Sequence, residues 1–195
     1  MRLLVVYAHP VETSFGAAIL EVVRETLDRR GHEVRVLNLY AEAFNPVLSR
    51  EERLAYEVEG HHRSGLAEHF DMIRWAEGLI FVYPTWWYGL PAIMKGWLDR
   101  VWLPEVSFAL PDGEGPIRPL MQHIRLLGGV STYGAGWWWT RYVGDPGRRT
   151  VMRGVRSLCS RRCRTLWLAL HKMDSASDAA RAAFLQKVQT RLGRL

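Results

Sequence analysis

The chain has 195 residues, which suits one domain with a full hydrophobic core, and its apolar fraction of 48% excludes a largely disordered protein. It has no uninterrupted apolar run of about 18 residues, so no membrane span is expected. The net charge of +6 comes largely from arginines in the C-terminal third, which form either a solvated face or a surface that attracts an anion such as a dinucleotide phosphate. These arginines are Arg141, Arg148, Arg149, Arg153, Arg156, Arg161, Arg162 and Arg164. No nucleic-acid-binding motif accompanies the charge, so nucleic acid is not an expected partner.

Two features bear on the compartment of the protein. The two cysteines, Cys159 and Cys163, have no second pair nearby, so we expect reduced thiols and no metal site. The N-terminus runs directly into the strand-like LLVVY, with one preceding arginine and no small-residue cleavage site, so a secretory signal is not expected. Together these features predict a cytoplasmic protein.

The first forty residues alternate between strand and helix patterns. Residues 3–8 form an apolar run of strand length in which both faces look buried, as in a parallel sheet. A helix is predicted over 15–30, with Ser14 as its N-cap and Gly31 just after its end. A second strand is predicted over 33–39. This β-α-β opening predicts a parallel sheet with a right-handed crossover.

The alternation continues to the C-terminus, and five strands alternating with helices predict a single doubly wound α/β domain over residues 1–195. In the flavodoxin-like strand order 2-1-3-4-5, the ligand lies at the carboxyl ends of strands 1 and 3. The closing helix begins near Ser175 or Ser177. The segments predicted between residue 40 and that helix are an irregular stretch at 40–65 with one helical turn near 49–56, a helix at 66–77, a strand at 78–83, a loop at 84–91, a helix from 92, a long loop at 104–120, a strand within 123–132, a loop at 133–147, a basic helix at 147–159 and a strand at 163–171.

The loop after the first strand, HPVETSFG at 9–16, suits an anion. It leads into a helix N-terminus, where backbone N–H groups lack partners and the helix dipole favours negative charge. Thr13 and Ser14 add hydroxyl groups and His9 adds a donor or a positive charge, a set that fits a phosphate. The loop lacks both G-x-G-x-x-G and a Walker lysine, which disfavours those two nucleotide sites. The alternative is a capped helix with an incidental histidine.

Two later loops are rich in aromatic or small residues. The loop PTWWYGLP at 84–91 offers flat aromatic surface to a planar heterocycle, and the alternative is a tryptophan-rich core patch. Eight of the nine tryptophans lie between Trp75 and Trp139, which favours a shared aromatic site or interface over even filling of a core. The small residues of STYGAGWWWTRY at 131–142 let a ligand approach the backbone closely.

These motifs together resemble the flavodoxin-2 family of NAD(P)H:quinone oxidoreductases, the group of DT-diaphorase, the modulator-of-drug-activity proteins and the potassium-efflux accessory flavoproteins. The segment A-H-P-x-x-x-S-F at 8–15 is similar to the family's flavin-phosphate loop. FNPVLS at 44–49 is similar to its F-x-P-x-L stretch. The pattern P-x-x-W-x-G-x-P-A-x-x-K-x-W-x-D-R-V matches residues 84–101. The resemblance spans residues 1–145.

The resemblance implies a ping-pong reaction in which two electrons pass as hydride from NAD(P)H through a flavin to a quinone-like acceptor. It implies FAD, with FMN as the alternative, and a homodimer whose sites lie at the two-fold interface. It also assigns residues to three parts of the flavin. The residues that would hold the phosphates and the ribityl chain are His9, Thr13, Ser14 and Phe15. Those that would line the isoalloxazine ring are Pro84, Thr85, Trp86, Trp87 and Tyr88. Those that would bracket its pyrimidine edge are Ser131, Thr132, Tyr133 and Gly134.

The third loop departs from the DT-diaphorase pattern, which has Thr-Gly-Gly and then a tyrosine and a histidine near the hydride path. Here the segment is Ser-Thr-Tyr-Gly, and no histidine occurs between His123 and His171, so Tyr142 or Trp139 is expected in the catalytic place. Two other functions stay open. One is a regulatory flavoprotein subunit of a potassium-efflux transporter, and the other is an electron-transfer flavodoxin, which the basic charge disfavours. The arginine run favours NADPH over NADH.

Overall fold

A five-stranded parallel sheet forms the centre of the computed structural model, which describes residues 1–56, 58, 65–111 and 113–195. The strand order is β2-β1-β3-β6-β7, and every neighbouring pair is parallel. Since β6 and β7 are the predicted strands 4 and 5, the predicted order 2-1-3-4-5 is confirmed. The strands are β1 (Arg2–Tyr7), β2 (Glu33–Asn38), β3 (Gly78–Thr85), β4 (Phe108–Ala109), β5 (Arg118–Pro119), β6 (Leu126–Tyr133) and β7 (Arg164–Leu170).

The helices pack on both faces of this sheet. Ser14 and Ser177 cap the first and last of them by accepting hydrogen bonds from Ala17 N–H and Ala180 N–H, each at 3.2 Å, as the sequence predicts. No helix in the described ranges is long and apolar enough to span a membrane. The helices are α1 (Phe15–Arg29), α2 (Arg50–Leu54), α3 (Ala67–Trp75), α4 (Ala92–Val101), α5 (Trp137–Val143), α6 (Pro146–Arg149), α7 (Arg156–Leu158) and α8 (Asp178–Leu192), with a π-helical turn at Thr150–Val155 and a 3-10 turn at Met173–Ser175.

Two apolar layers enclose the sheet. Alternate side chains of β1 point to opposite faces, so Leu4 and Val6 join the core under α3 and α4, whereas Leu3 and Val5 join the core under α1 and α8. Burial on both faces explains why β1 and β3 are continuous apolar runs without polar alternation. The carboxyl ends of β1 and β3 remain the edge where the two unusual loops emerge.

Some segments differ from the sequence prediction. The sequence predicts a loop over residues 137–143, whereas the structure has helix α5 there. The helix has no apolar period in the sequence, because its three tryptophans are exposed and only Thr140 is buried. Gly144, at φ +95°, ends that helix in the left-handed conformation. The predicted long loop contains the β4-β5 hairpin, and the predicted basic helix is divided into α6, the π-helical turn and α7. The predicted irregular stretch at 40–65 lies partly outside the described residues, and the helical turn predicted near 49–56 is confirmed as α2.

The FNP segment and α4 interlock. A Cβ on Gly96 of α4 would overlap the backbone of Pro46, so glycine is required at this contact. Arg100 of α4 donates to the Asn45 carbonyl oxygen at 2.6 Å and forms an ion pair with Glu52 of α2. The FNPVLS stretch and the K-x-W-x-D-R stretch therefore pack directly against each other. They also hold α4 against the FNP segment at 44–46 and against α2. Because α4 begins directly after the loop at 84–91, the tryptophan loop, these contacts fix where that loop ends.

Candidate functional site

The β1–α1 loop fixes the ring of His9 at the start of α1. The backbone N–H of Val11 donates to His9 Nδ1 at 3.0 Å, so Nδ1 accepts and Nε2 carries the proton when the ring is neutral. Burial lowers the pKa of His9 below its ordinary value, which favours that neutral form. The ring lies against Gly16, where a Cβ would come within 3.3 Å of His9 Cδ2. His9 is therefore a positioned N–H donor beside a helix N-terminus.

The first turn of α1 adds backbone donors to this loop. The N–H groups of Phe15 and Gly16 belong to the first turn, where helix geometry supplies no partner within the helix. The Phe15 ring lies 6.4 Å from the ring of Phe184 on α8, so its side chain packs against the fold and its backbone is what it offers to a ligand. Thr13 is exposed and Ser14 is half-buried. The four predicted phosphate residues thus share one helix start that suits an anion.

The tryptophan loop after β3 contains a strained turn. Gly89 N–H donates to the Trp86 carbonyl oxygen at 3.0 Å, and between them Trp87 and Tyr88 have φ values of 50° and 63°. Positive φ at both central residues is the pattern of a type I′ turn, which favours Asn and Gly and costs other residues about 1 kcal/mol each. The Trp87 side chain is 94% exposed. A strained backbone therefore presents an aromatic ring to solvent, a combination found at ligand-binding loops.

The first two loops meet at the sheet edge. The ring centroids of His9 and Trp86 are 6.1 Å apart and tilted by 57°. Ala8 N–H donates to the Val82 carbonyl oxygen at 3.1 Å, which continues the β1-β3 pairing up to this point. The predicted anion loop and the predicted aromatic loop are therefore adjacent at the switch point of the sheet.

The third loop joins the second across β3 and β6. Thr85 is paired with Tyr133 in the strand register, and the Thr85 Oγ1 and Ser131 Oγ atoms lie 2.9 Å apart. Pro84 and Ser131 are buried, whereas Thr132 is half-buried and Gly134 is exposed. A cavity of about 200 Å³ opens here. It is lined by Thr85, Trp87, Tyr88, Tyr133, Gly134 and Ala135.

A buried polar pair that sequence reasoning missed supports this cavity. The Tyr133 hydroxyl donates to Asp145 Oδ1 at 3.0 Å, and the Tyr133 ring stacks on His171 with centroids 4.6 Å apart. Burial, and then the Asp145 charge, raise the pKa of Tyr133 well above its ordinary value, so its hydroxyl stays protonated. The available signals were the turn-forming Gly-Asp-Pro at 144–146 and a histidine just after the last strand.

The two residues predicted as catalytic lie on α5, at the rim of the site. Trp139 Nε1–H donates to the Tyr88 hydroxyl at 2.6 Å, and the Tyr142 ring lies 5.2 Å from the Trp139 ring. The backbone N–H of Gly147 donates to the Tyr88 carbonyl oxygen at 3.3 Å. The helix that carries Trp139 and Tyr142 is thus joined to the tryptophan loop. Among the described residues, no group of three or more His, Cys, Asp or Glu side chains is arranged to hold a metal ion.

Comparison with known proteins decides the family. The family model Flavodoxin_2, described as a flavodoxin-like fold, matches residues 1–192. The chain belongs to the flavodoxin-2 family. It is 31% identical over 154 residues to the uncharacterized NAD(P)H oxidoreductase YcaK of Escherichia coli K12, covering 74% of this chain and 73% of that protein.

Other flavodoxin-2 relatives carry quinone reductase names. NAD(P)H dehydrogenase (quinone) 1 of Rattus norvegicus is 33% identical over 154 residues, covering 69% of this chain and 54% of the relative. The chain spans about half the length of the first curated relatives that it matches. The solved structure of an NAD(P)H:quinone oxidoreductase from Methanothermobacter marburgensis superposes with a TM-score of 0.82 at 27% identity, covering 99% of this chain and 98% of that one.

Proposed function

We propose that this chain is a flavin-dependent NAD(P)H:quinone oxidoreductase formed by a single flavodoxin-like domain over residues 1–195. The observation that carries the proposal is the contact between His9 and Trp86, which places an anion-binding helix start beside an exposed aromatic loop. A flavin needs that pair of surfaces, since it has a phosphate at one end and a planar ring at the other. The quinone reductase names of the relatives support the same activity.

The residues fit a flavin in three places. His9 Nε2–H and the N–H groups of Phe15 and Gly16 would hold a phosphate, with Thr13 and Ser14 at the same helix start. The Trp86 and Trp87 surfaces would hold the ring, and the 131–134 segment would hold its polar edge. When bound, the flavin supplies two-electron hydride exchange between NAD(P)H and a quinone.

The protein's own contribution is binding, orientation and control of protons. Tyr133 contributes a neutral phenol to the cavity wall, held by its hydrogen bond to Asp145, and burial and the Asp145 charge raise its pKa further above the ordinary value. Thr85 and Ser131 share a hydrogen bond that fixes both hydroxyl groups in the same wall. We propose that Trp139 and Tyr142 cover the site of the nicotinamide or quinone, as an aromatic rim on α5.

Reconstitution tests the function directly. Purified protein is titrated with FAD and with FMN, and NAD(P)H oxidation is then followed with benzoquinones and naphthoquinones. We expect bound flavin with a perturbed visible spectrum and quinone-dependent turnover. Binding of neither flavin, together with no quinone-dependent oxidation of either nicotinamide, would refute the proposal. The resemblance favours FAD over FMN, and chromatography of heat-released cofactor distinguishes the two.

A pair of histidine variants shows whether the β1–α1 loop holds the flavin phosphate. H9A removes the positioned donor, and we expect flavin affinity to fall about tenfold, the usual effect of losing one charge-assisted hydrogen bond. H32A is the matched control, because burial also lowers the pKa of His32 but its ring bonds the N-terminal amine, away from the loop. Equal flavin affinity in H9A and the wild type would exclude His9 as a phosphate ligand.

We also propose a homodimer formed through the exposed aromatic surface near the site. Trp138 and Tyr142 are each 81% exposed, and together with Trp87 and Trp139 they form an aromatic surface of the kind enriched at interfaces. Light scattering after size exclusion should give twice the mass of the chain, which is 22.5 kDa. W138E should shift the protein toward the monomer, whereas K187E on α8 should not. A monomeric wild type at micromolar concentration would refute the dimer.

A further inference from the structure

A second cavity, of about 530 Å³, lies between the 141–153 segment and one face of β7. Its floor is made by Thr165 and Trp167 of β7, and its walls by α6, the π-helical turn and the end of α5. Its lining residues are Arg141, Gly144, Asp145, Arg148, Arg149, Met152, Arg153, Thr165 and Trp167. None of the flavin-site residues predicted from the sequence lines it, so it is a separate site.

The charge in this cavity is strongly positive. Four arginines line it, and none of the four takes part in an ion pair with any described residue, whereas Arg24, Arg100 and Arg125 all do. Asp145 is the one acidic residue in the lining, and its Oδ1 already accepts the Tyr133 hydroxyl. Like charges on one short helical segment repel each other, so an anion in the cavity would stabilise the arrangement.

The backbone makes room for these side chains. Gly144 is in the left-handed conformation, and a Cβ there would come within 3.1 Å of Arg149 Nη1. The Arg149 guanidinium therefore lies directly against the loop that ends α5. Guanidinium groups match the oxygens of phosphates and carboxylates with paired N–H donors, and several of them around one concave surface favour the phosphate dianion because it carries the larger negative charge.

The position of the cavity relates it to the proposed flavin site. Asp145 lines the arginine cavity and its partner Tyr133 lines the cavity beside Trp87, so one hydrogen-bonded pair separates the two. A Cβ on Gly147 would come within 3.1 Å of the Gly89 backbone, so the start of α6 packs on the tryptophan loop. The arginine cavity and the cavity beside Trp87 are therefore neighbours on the two sides of the Tyr133–Asp145 pair.

We propose that the arginine cavity receives the 2′-phosphate of NADPH and makes the protein prefer NADPH to NADH. This inference rests on the proposed function, since it assigns the second cavity to the nicotinamide co-substrate. The shared chemistry is recognition of a phosphate monoester by guanidinium groups. The position beside the Tyr133–Asp145 pair favours the dinucleotide over a free phosphate ion as its source.

Calorimetry with fragments that lack a nicotinamide tests the proposal without any redox chemistry. Adenosine 2′,5′-bisphosphate, adenosine 5′-monophosphate and inorganic phosphate are titrated into the wild type, R148Q/R153Q and R164Q/R191Q. The last variant is the matched control, because Arg164 and Arg191 line another cavity near the amino ends of β6 and β7. We expect the bisphosphate to bind at least about tenfold more tightly than the monophosphate, as charge-assisted hydrogen bonds to one extra phosphate predict.

Each outcome bears on the assignment. A preference lost in R148Q/R153Q and kept in R164Q/R191Q supports the site. No preference in the wild type, or equal loss in both variants, overturns it. Inorganic phosphate binding as tightly as the bisphosphate makes a free anion the ligand and overturns the NADPH assignment. Because these titrations need no flavin or quinone, they can succeed or fail independently of the test of the proposed function. Thermal melts of both variants confirm that each is folded.

Discussion

Trp87 and Tyr88 occupy a backbone conformation that suits asparagine and glycine, yet both carry large aromatic side chains. The turn lies between β3 and α4, and its positive φ values cost free energy in any residue other than glycine, least of all in asparagine. Buried packing does not offset this cost at Trp87, because its side chain is almost fully exposed. A residue that destabilises the fold and touches little is best explained by what it binds.

Replacing Trp87 separates stability from binding. W87N places a residue that tolerates the left-handed region at this position, so we expect the free energy of unfolding to rise by about 1 kcal/mol. Loss of the indole ring should lower flavin affinity about tenfold, since stacking and burial of the ring contribute on that scale. Urea denaturation and flavin titration measure the two effects. K187N, at an exposed position of helical α8, is the control and should not be stabilised. An unstabilised W87N would show that the turn is not strained.

Removing the hydroxyl group from each of two buried tyrosines near the site should change the free energy of unfolding in different ways. The Tyr133 hydroxyl bonds Asp145, so Y133F leaves a buried carboxylate without a donor and should cost about 2 kcal/mol of unfolding free energy. The Tyr83 hydroxyl is buried and has no hydrogen-bond partner among the described residues, so Y83F should be neutral or stabilising. Denaturant melts of both variants check this contrast. Equal destabilisation would mean that the Tyr133–Asp145 bond contributes nothing of its own.

At the scale of elements, the molecule depends on the fit between α4 and the FNP segment. α4 follows directly from the tryptophan loop, so its position decides where that loop ends. Gly96 lets the Pro46 backbone touch the helix, and Arg100 spans from α4 to Asn45 and Glu52. The motif residue Arg100, and Gly96 between two other motif residues, therefore support the site through packing and do not line it.

Adding one methyl group to α4 tests this contact. G96A would force its Cβ into the Pro46 backbone, so we expect a loss of about 3 kcal/mol despite the higher helix propensity of alanine. Gly154 lies in the π-helical turn with nothing within 4 Å of an added Cβ, so G154A should be neutral or stabilising by up to about 1 kcal/mol. Thermal denaturation compares the pair. A tolerated G96A would show that the two segments can separate without cost.

At the scale of the whole molecule, several histidines are packed in neutral form. Burial lowers the pKa of His9, His32, His69 and His171 below the ordinary value. They lie on four different segments, so their protonation opposes the fold in several places at once. His69 is the most buried of them, and its Nδ1 accepts the Trp97 Nε1–H at 3.3 Å within the core.

These shifts predict the pH dependence of stability. A histidine whose folded-state pKa is depressed is fully stabilising above its unfolded pKa of about 6.5, and the contribution is lost as the pH falls from there toward the folded pKa. We therefore expect the free energy of unfolding to be lower at pH 5.5 than at pH 7.5, measured with urea. H69Q keeps an acceptor for Trp97 and should flatten this slope. A wild type more stable at pH 5.5 than at pH 7.5 would contradict the assignment.

Features that depend on neighbours along the chain were determined by the sequence itself. Five segments of strand length, the caps Ser14 and Ser177, and Gly31 after α1 predicted the elements, because strand patterns and capping act within a few residues. The strand order followed, since its switch point had to carry the two unusual loops. The anion loop and the tryptophan loop were visible for the same reason.

Contacts between distant segments were decided by the tertiary structure alone. The Tyr133–Asp145 bond, the stacking of Tyr133 on His171 and the exclusion of a Cβ at Gly96 depend on how helices pack on the sheet. Helix α5 could not be predicted, because its three exposed tryptophans give it no apolar period in the sequence. The sequence shows the arginine run as a concentration of positive charge. Only the tertiary structure shows that four of these arginines line one cavity beside β7 and that the others do not. The shape of a cavity depends on how distant segments pack, which the order of residues along the chain does not reveal.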